Sequence, residues 1–170
     1  NNLIDYLRII GWEASDILIH YSEKIKNIFD RDQIIKSNND NPVTLADLKV
    51  NEIIIQRINE NYSDVDWDIL SEENTKIDSR KQSINSDWLW VLDPLDGTKD
   101  FIQGTGNYAM HLALNYKNKP FLGVVLIPQK NELWISDSKN VWCERRDGAS
   151  FETNLKKNKI IQNMTLVKSK

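Results

Sequence analysis

Residues 88–101 read Trp-Leu-Trp-Val-Leu-Asp-Pro-Leu-Asp-Gly-Thr-Lys-Asp-Phe, an apolar run that stops at a carboxylate and reopens as a polar segment. Trp88 to Leu92 has the pattern of a buried strand. Pro94 fixes its own φ and suits the second position of a tight turn. Such a turn brings Asp93 and Asp96 to one side, with the Leu95 carbonyl pointing the same way. Three oxygen donors from so few residues suit a hard divalent cation, Mg²⁺ rather than Zn²⁺. Gly97 lets the backbone approach a ligand closely, and Thr98-Lys99-Asp100-Phe101 opens a helix whose free N–H groups suit a phosphate. Carboxylates for a metal beside amides for a phosphate read as metal-assisted phosphoester chemistry.

Upstream of this stretch the chain is helical. Leu3, Leu7, Ile10, Ala14, Ile17, Leu18, Tyr21, Ile25 and Ile28 recur at spacings of three and four, which predicts one long amphipathic helix. After the polar loop Ser37-Asn-Asn-Asp-Asn41, a second helix is predicted over 45–61, burying Ala46, Val50, Ile53, Ile54 and Ile58. From there the texture changes to strands, at 68–71, 88–92, 107–116, 121–127, 132–136, 141–144 and 164–167. Two helices followed by turn-linked strands predict an α+β fold, two N-terminal helices packed on a largely antiparallel β-sheet.

At 170 residues the chain can bury a real core, and its net charge of −3 gives no reason to expect nucleic acid as a partner. No apolar run approaches a membrane span, so a membrane is not an expected partner either. Lys156, Lys157, Lys159, Lys168 and Lys170 make the last stretch basic, but without interleaved aromatics it reads as a solvated connector. Cys143 is the single cysteine, so no internal disulfide can form and a reducing, cytoplasmic setting is expected. It lies in a strand-like run with no histidine partner in sequence, and reads as a small buried hydrophobe.

Two upstream segments gain interest once the hexad at 93–98 is read as a metal site. Thr44 and Asp47 stand three apart before a helical run, which alone is a capping box. A carboxylate held at a helix start is also a well-fixed hydrogen-bond acceptor, so both roles are compatible. Glu72 and Glu73 alone read as a charged strand end. Adjacent carboxylates repel, however, and a cation between Glu72 and Asp93 would offset that repulsion. His111 alternates with Ala109 and Ala113 and reads as a tucked imidazole; His20 receives no role.

Pro42-Val-Thr-Leu-Ala-Asp47, Ser71-Glu-Glu73 and Trp90-Val-Leu-Asp-Pro-Leu-Asp-Gly-Thr-Lys-Asp-Phe101 stand in an order and spacing that resembles the inositol monophosphatase-like, lithium-sensitive phosphatase superfamily. The Gly-Thr-Lys-acidic-Phe continuation resembles its 3′(2′),5′-bisphosphate nucleotidase branch, with Asp100 where Glu is usual. The resemblance implies the N-terminal half of a layered sugar-phosphatase-like αβαβα fold. It implies that Glu72, Asp93 and the Leu95 carbonyl hold one Mg²⁺ and that Asp93 and Asp96 contribute to a second. The N–H groups of Gly97 and Thr98 would bind the scissile phosphate, with Glu72, Leu95 and Asp96 also lining the substrate. Asp47 and the Thr98 hydroxyl would orient and deprotonate the attacking water. The implied substrate is a small phosphorylated molecule, adenosine 3′,5′-bisphosphate losing its 3′-phosphate, with inositol or sugar phosphates, or metal and phosphate binding without turnover, as alternatives. Relatives continue into a second domain carrying a Trp-Asp motif. Residues 1–162 are therefore expected to form a metal- and phosphate-binding α+β domain and 163–170 the start of that missing C-terminal domain, with homo-oligomerisation compatible.

Overall fold

The first helix, α1, spans Leu3–Lys24 and buries Leu7, Ile10, Ala14 and Leu18 on one side. Its Gly11 lies so close to the sheet that a Cβ there would meet Leu133 Cδ1 at 2.9 Å. The helix ends earlier than the periodicity predicts. Asn27 adopts an extended conformation and its side chain accepts from Phe29 N at 3.0 Å, capping a separate helix α2, Ile28–Ile34. Asparagine offers the backbone a local alternative to helix continuation, and here that alternative prevails. Ile28, assigned by its spacing to the buried stripe, is 81% exposed as a result. The computed structural model describes residues 3–37, 42–77, 84–146 and 156–157.

A short antiparallel pair, β1 (Ile35–Ser37) and β2 (Val43–Thr44), leads into helix α3, Leu45–Asn61. This helix has the predicted bounds. Ala46, Val50, Ile54 and Ile58 are fully buried, while Ile53 is only half-buried at the edge of the stripe.

Among the described residues seven strands form the main sheet: β3 (Asp68–Ser71), β4 (Trp88–Asp96), β5 (Ala109–Tyr116), β6 (Lys119–Ile127), β7 (Glu132–Asp137), β8 (Val141–Arg145) and β9 (Lys156–Lys157). Their spatial order follows the chain, with β3 and β4 parallel and every later pair antiparallel. Helix α4 (Glu72–Ile77) lies in the crossover between the parallel pair, and α5 (Thr98–Gln103) follows β4. The chain is thus α+β with a largely antiparallel sheet, as its sequence predicts. One assignment needs correction: Lys156 and Lys157 extend the sheet beside Trp142 and Cys143, where a connector was expected. The strand predicted at Met164–Val167 and the proposed boundary near 162 lie outside the described residues.

Alternate side chains Trp90, Leu92, Met110, Leu112, Leu114, Val124, Leu126, Leu133 and Ile135 are buried on one sheet face, against α1 and α3. Burying one face of each element is what drives the layers together. Polar ties set their registry. Arg8 on α1 pairs with the fully buried Glu144 on β8, Arg146 pairs with Asp16 and lies over the Trp12 ring, and Arg57 on α3 pairs with Glu13 at 2.9 Å. Among the described residues no helix is long and apolar enough to cross a membrane.

Candidate active site

The hexad at 93–98 does not form the tight turn that Pro94 predicts. Strand β4 runs on to Asp96, and its pairing with β5 slips between Asp93↔His111 and Asp96↔Ala109. Two residues, Pro94 and Leu95, therefore oppose Met110 alone, which is a β-bulge. Proline has no N–H to give the ladder, and a bulge is where a strand tolerates that loss. The extra residue resets the alternation. Trp90, Leu92 and Pro94 are buried in turn, Leu95 is buried directly after, and Asp96 emerges exposed on the face that Asp93 already occupies. The turn was wrong, yet its purpose, two carboxylates on one side, is met by the bulge.

Gly97 then turns the chain with φ +84°, where an added Cβ would stand 2.6 Å from the Asn107 carbonyl oxygen. Only glycine suits that backbone and that space. It precedes α5 without offering a side-chain cap, so the first-turn amides of that helix are left to other acceptors.

A run of close polar contacts ties α3 to the bulge, with the one Thr98 hydroxyl proton facing two acceptors. Thr44 caps α3, accepting from Ala46 N at 3.1 Å and Asp47 N at 3.5 Å, and both its N–H and its hydroxyl donate to Asp47 Oδ2, at 2.8 and 2.6 Å. Asp47 Oδ1 lies 3.2 Å from Thr98 Oγ1. The same hydroxyl lies 3.0 Å from the Leu95 carbonyl, and Leu95 N donates to Asp93 Oδ1 at 3.2 Å. Asp47, Thr98, Leu95 and Asp93 are therefore one connected unit. Burial pushes the Asp47 carboxyl up to about 6; the Thr44 bonds pull it down and the Glu73 charge adds to the rise.

Glu72 begins α4 at the end of β3, the strand parallel to β4, and so arrives beside Asp93. Burial, then the Glu72 carboxylate, then Asp96 push the Asp93 carboxyl up to about 7. Ser71, Glu72, Thr75 and Asp93 line an open cleft of about 310 Å³ together with Leu70, Val91 and Leu92. Carboxylates crowded at a cleft mouth fit a hard cation, which would relieve their repulsion. Among the described residues no three His, Cys, Asp or Glu side chains converge on one point. Glu72, Asp93 and the Leu95 carbonyl would leave the remaining positions to water, which suits Mg²⁺.

The structure thus brings Asp47, Glu72, Asp93, Leu95, Asp96, Gly97 and Thr98 to one end of β4. Lys99 is exposed, and Asp100 is occupied by Thr105, whose hydroxyl donates to it at 2.6 Å. His111 is half-buried and is the cross-strand partner of Asp93. Cys143 is buried, and burial pushes its thiol up, as suits an inert core residue. Sequence reading passed over Asn51, which stands one turn beyond Asp47 on α3 and bonds the residues flanking the acidic pair. Its spacing of four from Asp47 was the available signal.

The sequence that carries this arrangement matches a known class of proteins. The chain belongs to the inositol monophosphatase family, whose model matches residues 4–169. It is 31% identical over 144 residues to the 3′(2′),5′-bisphosphate nucleotidase CysQ of Escherichia coli strain K12, covering 84% of this chain and 54% of that protein. A chloroplastic bifunctional phosphatase of Arabidopsis thaliana is 34% identical over 122 residues, 72% of this chain and 32% of that one. The fold matches that of a Thermotoga maritima IMPase with a TM-score of 0.64 at 24% identity, covering 84% of this chain and 52% of the other. The chain spans about half the length of the CysQ protein it matches.

Proposed function

We propose that the protein hydrolyses phosphomonoesters with Mg²⁺, and that its substrate is adenosine 3′,5′-bisphosphate, converted to AMP and phosphate. The observation that carries the reading is the unbroken link from Asp47 through Thr98 and Leu95 to Asp93, with Glu72 alongside. Glu72, Asp93 and the Leu95 carbonyl would hold one Mg²⁺, with Asp93 and Asp96 contributing to a second. Bound there, the metal supplies Lewis-acid stabilisation of charge on the phosphoryl oxygens.

The protein's own groups do the rest. The N–H groups of Gly97 and Thr98 receive the phosphate. The Thr98 hydroxyl accepts a hydrogen bond from the attacking water and passes a proton toward Asp47 Oδ1 as the water oxygen bonds to phosphorus. The bond from phosphorus to the ribose 3′-oxygen breaks, and solvent protonates that oxygen. A carboxylate held this way gives general-base help without a histidine. The nucleotide preference is supported by the Gly97-Thr98-Lys99-Asp100-Phe101 continuation and by the similarity to CysQ.

Phosphate release from adenosine 3′,5′-bisphosphate, inositol 1-phosphate and a sugar bisphosphate, each with Mg²⁺, tests this. A higher kcat/KM for the nucleotide is expected. A preference for inositol 1-phosphate would overturn the substrate, and Mg²⁺ binding without turnover of any would overturn the reaction.

A further inference from the structure

Helix α3 reaches the site twice. Asp47, in its first turn, holds Thr98; Asn51, one turn further along the same face, holds the corner where β3 becomes α4. Both polar groups of the Asn51 carboxamide are committed there. Its Oδ1 accepts from the hydroxyl of Ser71, the fully buried last residue of β3, and its Nδ2 donates to Asn74 Oδ1 at 3.1 Å in the first turn of α4. Ser71 and Asn74 are the residues immediately before and after the Glu72–Glu73 pair. One side chain therefore holds the side chains of the residues on either side of the carboxylates, from the helix that carries Asp47.

We propose that Asn51 is a positioning residue that fixes the Glu72 carboxylate against Asp93 and so sets the affinity of the site for its divalent cation. The inference rests on the metal role given to Glu72 above. Asp93 is fixed independently, by strand pairing and by Leu95 N, whereas Glu72 stands on a six-residue helix with an exposed flank. Asn51 ties to α3 the corner of the chain from which Glu72 reaches Asp93. An amide is suited to the task because it accepts and donates at once, and the two bonds it makes require one of each.

Calorimetric titration of residues 1–170 with Mg²⁺, beside thermal melts in chelator, tests the assignment. Asn51→Leu is expected to weaken Mg²⁺ binding roughly tenfold or more, the usual effect of removing a group that orients a ligand. Asn74→Ala, which leaves the bond to Ser71 in place, is expected to show a smaller loss in the same direction and carries the test should Asn51→Leu fail to fold. A purely structural clamp would lower the melting temperature and leave the affinity unchanged; that result, in whichever of the two variants folds, overturns the proposal. Glu72→Gln separates the two readings. If the wild-type chain binds no Mg²⁺, or binds it equally well as Glu72→Gln, the metal site itself is wrong and the proposal falls with it. If Glu72→Gln loses binding while the Asn51 and Asn74 variants keep it, only the tether is wrong.

Discussion

Asp47 divides its two carboxylate oxygens between structure and chemistry: Oδ2 closes the cap of α3 through Thr44, and Oδ1 lies 3.2 Å from Thr98 Oγ1. A capping role and a basic role therefore coexist in one residue. Asp47→Asn is expected to lower phosphate release by on the order of 10²–10³-fold and to leave Mg²⁺ affinity intact. The weakened cap should cost about 1 kcal/mol in a denaturant melt. Loss of the whole fold would assign Asp47 to structure alone.

The same residue sets a pH profile. A base acts only when ionised, and burial holds Asp47 protonated up to about 6. Turnover should rise with pH through that value, and the Asp47→Asn variant should lack that limb.

Asp93 makes the fold less stable as pH rises in the absence of metal. Its folded carboxyl titrates near about 7, through burial and then the Glu72 and Asp96 charges, whereas an unfolded carboxyl titrates at its ordinary lower value. Between those values the folded chain retains a proton that the unfolded chain has released, so stability falls as pH rises through the window. Asp93→Asn should melt higher than wild type in chelator at about pH 8, with the gain shrinking near about pH 5. The same variant should lose divalent-cation binding in calorimetry. A lower melting temperature at the higher pH would remove the electrostatic account of this cluster.

Gly97→Ala places a Cβ 2.6 Å from the Asn107 carbonyl at φ +84°. The strain should cost on the order of 1–3 kcal/mol and displace the first-turn amides of α5. Chemical denaturation reads the first effect, and weakened inhibition by inorganic phosphate reads the second.

Glu144 is fully buried against Arg8. Glu144→Ala leaves that guanidinium partly buried without its counter-charge and should destabilise the fold by about 3 kcal/mol. Replacing both residues by methionine should recover most of the loss, measured by urea melts of the single and double variants.

Helix α3 was legible in sequence because cap, periodicity and polar end all agree within seventeen residues. The carboxylate set was legible because the hexad keeps its donors within local reach. What sequence concealed were choices made against distant partners or between close local rivals. The bulge exists only in relation to β5, so Pro94 read as a turn. Asn27 competed with an uninterrupted apolar repeat, and the repeat misled. The Asn51 tether joins residues twenty and twenty-three apart, and along the chain only its spacing of four from Asp47 points to the residue, not to its partners.

The reset of alternation at Pro94 and Leu95 also makes the facing of Asp96 a property of strand pairing rather than of its own side chain. Exchanging Leu95 for another apolar residue preserves which way each neighbour faces. Pairing the same residues without the bulge would restore strict two-residue counting and turn Asp96 inward, delivering a carboxylate to the apolar layer and taking it from the side that Asp93 occupies in a single event. Variation by substitution is open at Leu95, whereas a change in β5 that closed the bulge would move Asp96 without touching it.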